Sequence, residues 1–194
     1  MARELSEFEQ ELVKLVNPLT AARWQADYRW DNLERAMVEL GNDYQGLELC
    51  PDFQRGHVWQ PEQQAHFVEN CLRGIVPASG LYLQFNSPSW MDVEDTDSSL
   101  PPGLQYGLQR YTAITEFVKG NVKPFGLTAE QLKGTQFSAN RFHVKVAVHN
   151  FTQRYELLNH YVSIFGRDAT QRRGNSPRAC PAGRFQSSEG LRPA

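Results

Sequence analysis

The chain's sequence predicts an α+β fold, a small sheet packed against several helices, and three observations lead there. RFHVKVAVH at 141–149 alternates strictly, with Phe142, Val144, Val146 and Val148 on one face, the period of a strand with a buried side. LYLQF at 81–85 and GLELC at 46–50 are short apolar runs bounded by turn residues, two further strand candidates. Between and around them lie stretches with helical spacing and recognisable caps, so strands and helices alternate irregularly, as in α+β proteins. With 194 residues and 40% hydrophobic content, there is enough apolar material for one compact core.

The opening element is a helix, predicted by the helical spacing of Leu5, Phe8, Leu12 and Leu15. A second helix is expected near residues 24–40, with Trp30, Leu33, Met37 and Leu40 on one face and GND at 41–43 as its stop. After the GLELC strand and the segment PDFQRGHVW, Pro61 sits in the first turn of a helix. That helix turns Phe67, Cys71 and Leu72 inward and ends at Gly74. The stretch NSPSWMDVEDTDSSLPPG carries every loop marker. GLQRYTAITEFVKG reads as a loop turning into a helix, and Thr128 with Gln131 has capping-box spacing ahead of Leu132. Thr152 is placed to cap a last helix carrying Tyr155, Leu158, Tyr161 and Val162. No internal repeat is visible.

Composition excludes several classes. No run approaches the roughly 20 apolar residues that cross a bilayer, and the charged opening segment is neither a signal peptide nor an anchor. Cys50, Cys71 and Cys180 form no CxxC and no even set, which argues against a disulfide framework or a zinc ribbon and points to a reducing, cytoplasmic compartment. The net charge of −2 is uneven: from Phe165 onward six Arg face one Asp and one Glu, a surplus of +4, which leaves −6 on the preceding body. So acidic a body makes a poor non-specific DNA binder, because that affinity comes from neutralising phosphates. There is no HExxH, GxSxG or GxxxxGK[ST].

Two segments carry candidate chemistry. The first holds Gln54, Arg55, His57 and Trp59 just after a strand. Arg offers five donors in a fixed fork that suits phosphate, and Trp59 is a candidate for stacking on a base. The bland alternative is a surface turn whose Arg meets a local acid and whose Trp is core. The second is GLQRYTA at 107–113. Gly107 admits close backbone approach, the adjoining helix start offers free N–H groups and its positive dipole end, Arg110 adds charge and Thr112 a hydroxyl. Its alternative is an ordinary helix start. Of the other histidines, His143 and His149 are expected to face solvent, and His66 and His160 have no metal-ligand partner at useful spacing.

In order and content, PDFQRGHVW, the helix through CLRGI, the strand LYLQF and YGLQRYTAI resemble the N-terminal domain of GmrSD-type modification-dependent restriction enzymes, part of the ParB/sulfiredoxin-like superfamily. That family carries an [FY]-Q-R-x-[FY]-x-W segment, then a helix and a strand, then D-G-x-Q-R-x-T-A. Stand-alone copies of this arrangement look like phage or prophage proteins. The resemblance implies a ParB/sulfiredoxin-like nucleotide-binding core over 46–164, preceded by a helical segment at 1–45. It implies an NTP held with Mg²⁺, with Arg55, Gly107, Gln109, Arg110 and Thr112 at the nucleotide and Gln54, His57 and Gln109 as candidate catalytic groups. NTP hydrolysis or phosphoryl transfer in DNA modification or restriction is the implied activity, and Mg²⁺ would offset the phosphate charge. The competing expectation is a non-catalytic module that contacts DNA or a host defence protein.

Two departures stand against turnover. Tyr106 occupies the position of the family Asp, and a phenol with a pKa near 10 does not replace a carboxylate. Asp92, Glu94, Asp95 and Asp97 in the preceding loop are the available substitutes. The second departure is the tail at 165–194, rich in Arg, Gly and Pro and without apolar periodicity. It is expected to be disordered. One permitted choice of codons for its first residues, read in another frame, yields a segment similar to the family's own continuation, so a frameshifted end is favoured over a genuine Arg-rich tail that touches nucleic acid, and resequencing is its test.

Overall fold

The computed structural model describes residues 5–49, 51, 59–77, 80–91, 96–100, 104–105 and 108–169. Helix α1 (Glu7–Val16) opens them, fixed by purely local signals. The Ser6 hydroxyl accepts from the Glu9 amide while Glu9 returns to the Ser6 N–H, and Asn17 closes the helix at φ 45°. None of its residues is buried.

The next element corrects the expected second helix. Trp24–Arg29 is a strand, β1, and only Leu33–Asp43 is helical, α2. The reason lies in the residues: Trp24, Ala26 and Tyr28 turn toward the protein while Gln25, Asp27 and Arg29 turn to solvent, the two-residue period of a half-buried strand. The inward face expected for the helix is otherwise correct, since Trp30, Leu33 and Met37 are almost wholly buried.

Strand β2 (Leu47–Glu48) realises two residues of GLELC. Helix α3 (Pro61–Leu72) begins with proline in its first turn and stops at Arg73–Gly74, where Gly74 takes φ 76°. Strand β3 (Tyr82–Asn86) comes next, then the two-residue strand β4 (Leu104–Gln105), helix α4 (Leu108–Val118), strand β5 (His143–His149) and helix α5 (Arg154–Ala169). The Thr128–Gln131 capping box forms with both bonds in place, yet the chain after it makes a series of turns rather than a helix. Within the stretch read as loop, Asn86 belongs to β3 and Pro88–Trp90 makes one 3₁₀ turn.

The architecture is α+β, with a mixed sheet in the order β1-β5-β3-β4-β2. β1 runs antiparallel to β5 from Trp24↔Val148 to Arg29↔His143, and β3 runs parallel to β5 from Tyr82↔Lys145 to Asn86↔His149. β4 meets β3 only at Asn86↔Gln105 and carries β2 parallel on its other side. Three strands therefore make the sheet proper and two short ones extend it.

One core joins Trp30, Leu33 and Met37 of the α2 region to Val68, Cys71 and Leu72 of α3, Leu83 and Phe85 of β3, Tyr111, Ile114 and Phe117 of α4, and Val144, Val146 and Val148 of β5. Trp30 meets Phe117 edge-on, 6.0 Å between centroids. A smaller cluster of Leu100, Phe151 and Leu157 seats α5. Its inward residues are Leu157 and His160, whereas Tyr155 and Val162, expected on the packed face, are exposed. No helix among the described residues is long and apolar enough to cross a membrane.

Candidate nucleotide site

Helices α3 and α4 start side by side, and one bond fixes this. The Trp59 N–H, two residues before α3, donates to the Gln109 side-chain oxygen in the first turn of α4 at 3.2 Å. The two segments singled out in the sequence thus meet across 50 positions of chain. The junction is reinforced from α3, where the Gln64 amide donates to the Trp59 carbonyl at 3.3 Å, and where Gln60 and Gln63 close a reciprocal capping box around Pro61. Trp59 is half-buried, with its ring tilted against Phe67 at 5.3 Å between centroids, so much of its surface is already used in packing.

The start of α4 is anchored from beneath. Leu108 and Tyr111 are buried, and burial, followed by the Glu34 charge, pushes the Tyr111 phenol well above its ordinary range. Tyr111 is therefore a packing residue and stays protonated. Thr112 donates its hydroxyl proton to the Leu108 carbonyl at 2.7 Å, an intrahelical bond that leaves its oxygen as an acceptor only. Arg110 is exposed and donates one N–H to the Tyr82 carbonyl at 3.3 Å. That bond points the guanidinium to the opening of β3, close enough to Cys71 for its charge to act on the thiol. Burial dominates there and raises Cys71 to about 12, so this cysteine is an inert core group.

Of the residues expected at the site, the structure brings together Trp59 and Gln109 and places Arg110 and Thr112 on the same helical turn as Gln109. Gln54, Arg55, His57, Tyr106 and Gly107 lie outside the described residues, as do Asp92, Glu94 and Asp95. Asp97 is described and exposed. Its carboxylate accepts from the Ser99 N–H at 2.8 Å and is held below its usual range chiefly by that bond, which makes it a turn-stabilising group.

The structure also overturns one histidine assignment. His143 faces solvent, but His149 is buried at the end of β5 and lies against His160 of α5, with 4.3 Å between ring centroids. Sequence spacing did not show this pair, because an eleven-residue separation that crosses from strand to helix has no characteristic period. The alternation of 142–148 was the available signal. It puts His149 on the face opposite the valines, where Phe151 and His160 of α5 pack against its ring. Among the described residues no group of three or more His, Cys, Asp or Glu converges as a metal site. Comparison with family models, curated proteins and solved structures finds no match to this chain.

Proposed function

We propose that this protein binds a nucleotide by its polyphosphate at the paired starts of α3 and α4. The observation that carries the reading is the Trp59–Gln109 bond, which seats the end of PDFQRGHVW on the first turn of α4. The N-terminal turns of two neighbouring helices bring their positive dipole ends together, an arrangement anions favour, and at α4 the first amides add donors, those of α3 being largely taken up by its capping box. Arg110, in the first turn of α4, is exposed and keeps further donors beyond the N–H it gives to the Tyr82 carbonyl. The resemblance to ParB/sulfiredoxin-like domains supports the same place, with Arg55 and Gln54 closing over the phosphates and Mg²⁺ offsetting their charge. In that reading the nucleotide serves NTP hydrolysis or phosphoryl transfer during phage DNA modification or restriction, in the cytoplasm of the host cell.

A binding module without turnover is the second reading, and specific residues favour it. Tyr106 stands where the family has Asp, and the Thr112 hydroxyl proton is committed to Leu108. Its partner would then be DNA or a host defence protein.

Calorimetry with ATP, GTP, CTP and UTP in Mg²⁺ tests the site. We expect one of them to bind, and Arg110→Ala to weaken it at least about tenfold, the loss typical of a charge-assisted bond. Undiminished affinity in that variant would remove the assignment. Phosphate release measured alongside separates the two readings: binding without turnover selects the module, and turnover selects the enzyme.

A further inference from the structure

Helix α1 is fixed by its own residues at both ends. The Ser6–Glu9 box opens it, and Asn17 closes it in the left-handed region by donating its N–H to the Val13 carbonyl at 2.9 Å. Phe8, Leu12, Leu15 and Val16 fall at i, i+4, i+7 and i+8, which puts them on one face. All four are exposed, from 38% at Leu12 to 82% at Leu15. Leu5 and Leu19, just beyond the two ends, are exposed as well. The chain joins the sheet at Arg23, whose N–H donates to the Val148 carbonyl at 2.9 Å.

A helix about 15 Å long is marginal by itself in water, and burial of an apolar face is what ordinarily holds one of this length. Large apolar side chains gathered on an exposed face mark an interaction site. The polar positions say what fits there. Successive residues turn by about 100°, which sets Glu9 on one border of the apolar face, Glu11 and then Glu7 on the other, and Lys14 on the far side. Both borders are therefore acidic. A second α1 laid on this face, parallel or antiparallel, would set carboxylate against carboxylate. An anionic lipid surface is disfavoured too, since helices that lie on one carry Lys and Arg where this one carries Glu. The Arg-rich segment at 165–194 has a suitable charge but no apolar periodicity to fill the face.

We propose that α1 is a recognition helix, which seats its Phe8–Leu12–Leu15 face in an apolar groove between helices of a partner protein, with Lys and Arg along the rim of that groove. In this mode anchors at helical spacing supply the affinity, and the rim charges fix orientation and speed the encounter. The surface uses none of the residues assigned to the nucleotide.

A designed helical hairpin with a leucine-lined groove is the probe, made once with Lys along its rim and once with Glu. Fluorescence anisotropy with the whole chain should show saturable one-to-one binding of the Lys hairpin, weakening as NaCl is raised, and none of the Glu hairpin. Phe8→Asp and Leu12→Asp should each weaken binding at least about tenfold, the effect of losing an anchor. Both should melt like the parent protein, because neither side chain is in the core. Glu11→Lys should cost roughly two- to fivefold, the worth of an exposed ion pair. No binding, equal affinity for the two rims, or binding kept in Phe8→Asp would overturn the proposal. Sedimentation, of the chain alone and with phosphatidylserine vesicles, decides the other occupants. Self-association or vesicle binding that disappears in Phe8→Asp would overturn it too, and neither is expected. So would binding of the Lys hairpin by residues 1–169 but not by the whole chain, since the tail would then be the occupant.

Discussion

Asn86 shows how one side chain can set the course of a connection. It replaces a missing stretch of ladder at the end of β3 by pairing both ends of its amide with the backbone of Phe151. Truncation to Ala would leave a buried N–H and a buried carbonyl unpaired, so Asn86→Ala should lower stability by about 2–5 kcal/mol in urea unfolding. A loss under about 1 kcal/mol would show that the corner relaxes and rehydrates. His149 supplies a second residue-scale prediction, with the sign fixed by linkage. Its pKa is about 4 in the folded chain against 6.5 when free. Between those values the unfolded chain binds a proton that the folded chain refuses, so stability is full above 6.5 and falls as pH drops toward 4. The ceiling on that loss is about 3 kcal/mol, and lowered His160 acts in the same direction. Urea midpoints measured across this window should decline for the parent protein and decline less for His149→Leu. Parallel slopes in the two would remove the assignment. Neither effect was legible in the sequence, where the pairing of Asn86 with Phe151 spans 65 positions and His149 read as solvent-facing.

At the scale of elements, local signals were readable and long-range ones were not. Pro61, Gly74 and the Ser6–Glu9 box mark their helix ends as they stand in the chain, and the valines of β5 announce a strand. Residues 24–29 read as helix in the sequence because the spacing of Trp30, Leu33, Met37 and Leu40 outweighs an alternation that is only three residues deep on its inner face. Thr128 and Gln131 make the opposite point. Their box forms, but Gly134 at φ 79° interrupts within two turns, so a cap without a propagating segment makes no helix. β4 exists through register with its neighbours, at two residues, and no periodicity can reveal it, whereas the apolar run GLELC did mark β2. The candidate site was half legible: the motif residues were visible, but the contact that joins them, from Trp59 to Gln109, is a tertiary fact. Helix α1 gives the element-scale prediction. Its apolar residues are all exposed or nearly so, Phe8 by 68% and Leu15 by 82%, so it adds no core contact. Deleting residues 1–17 should therefore shift the melting temperature by less than about 2 °C, under the effect of about 1 kcal/mol in a domain of this size. A fall of several degrees would mean that the helix is packed in solution.

The whole molecule depends on its early residues in a way the deletion of α1 does not touch. β1 closes one edge of the sheet by pairing along the full length of β5, and the turn after it delivers Trp30, Leu33 and Met37 to the central core. A fragment beginning at residue 46 would keep both candidate motifs yet lose all of this. Burial of those three side chains alone is worth roughly 5–9 kcal/mol at about 1.5–3 kcal/mol each, against a net stability of about 5–15 kcal/mol for a whole domain. The same cut would bare the β1-facing edge of β5 and its row of unpaired backbone groups, the kind of edge that recruits other chains. The expected outcome is a fragment 46–169 that melts without a cooperative transition, gives poorly dispersed amide resonances and self-associates, whereas 18–169 melts as a single unit. A sharp transition and dispersed spectrum from 46–169 would show that the core built by α3, α4, β3 and β5 stands alone. In that case the strand at 24–29 would be an accessory to the unit that carries the candidate site rather than part of its frame.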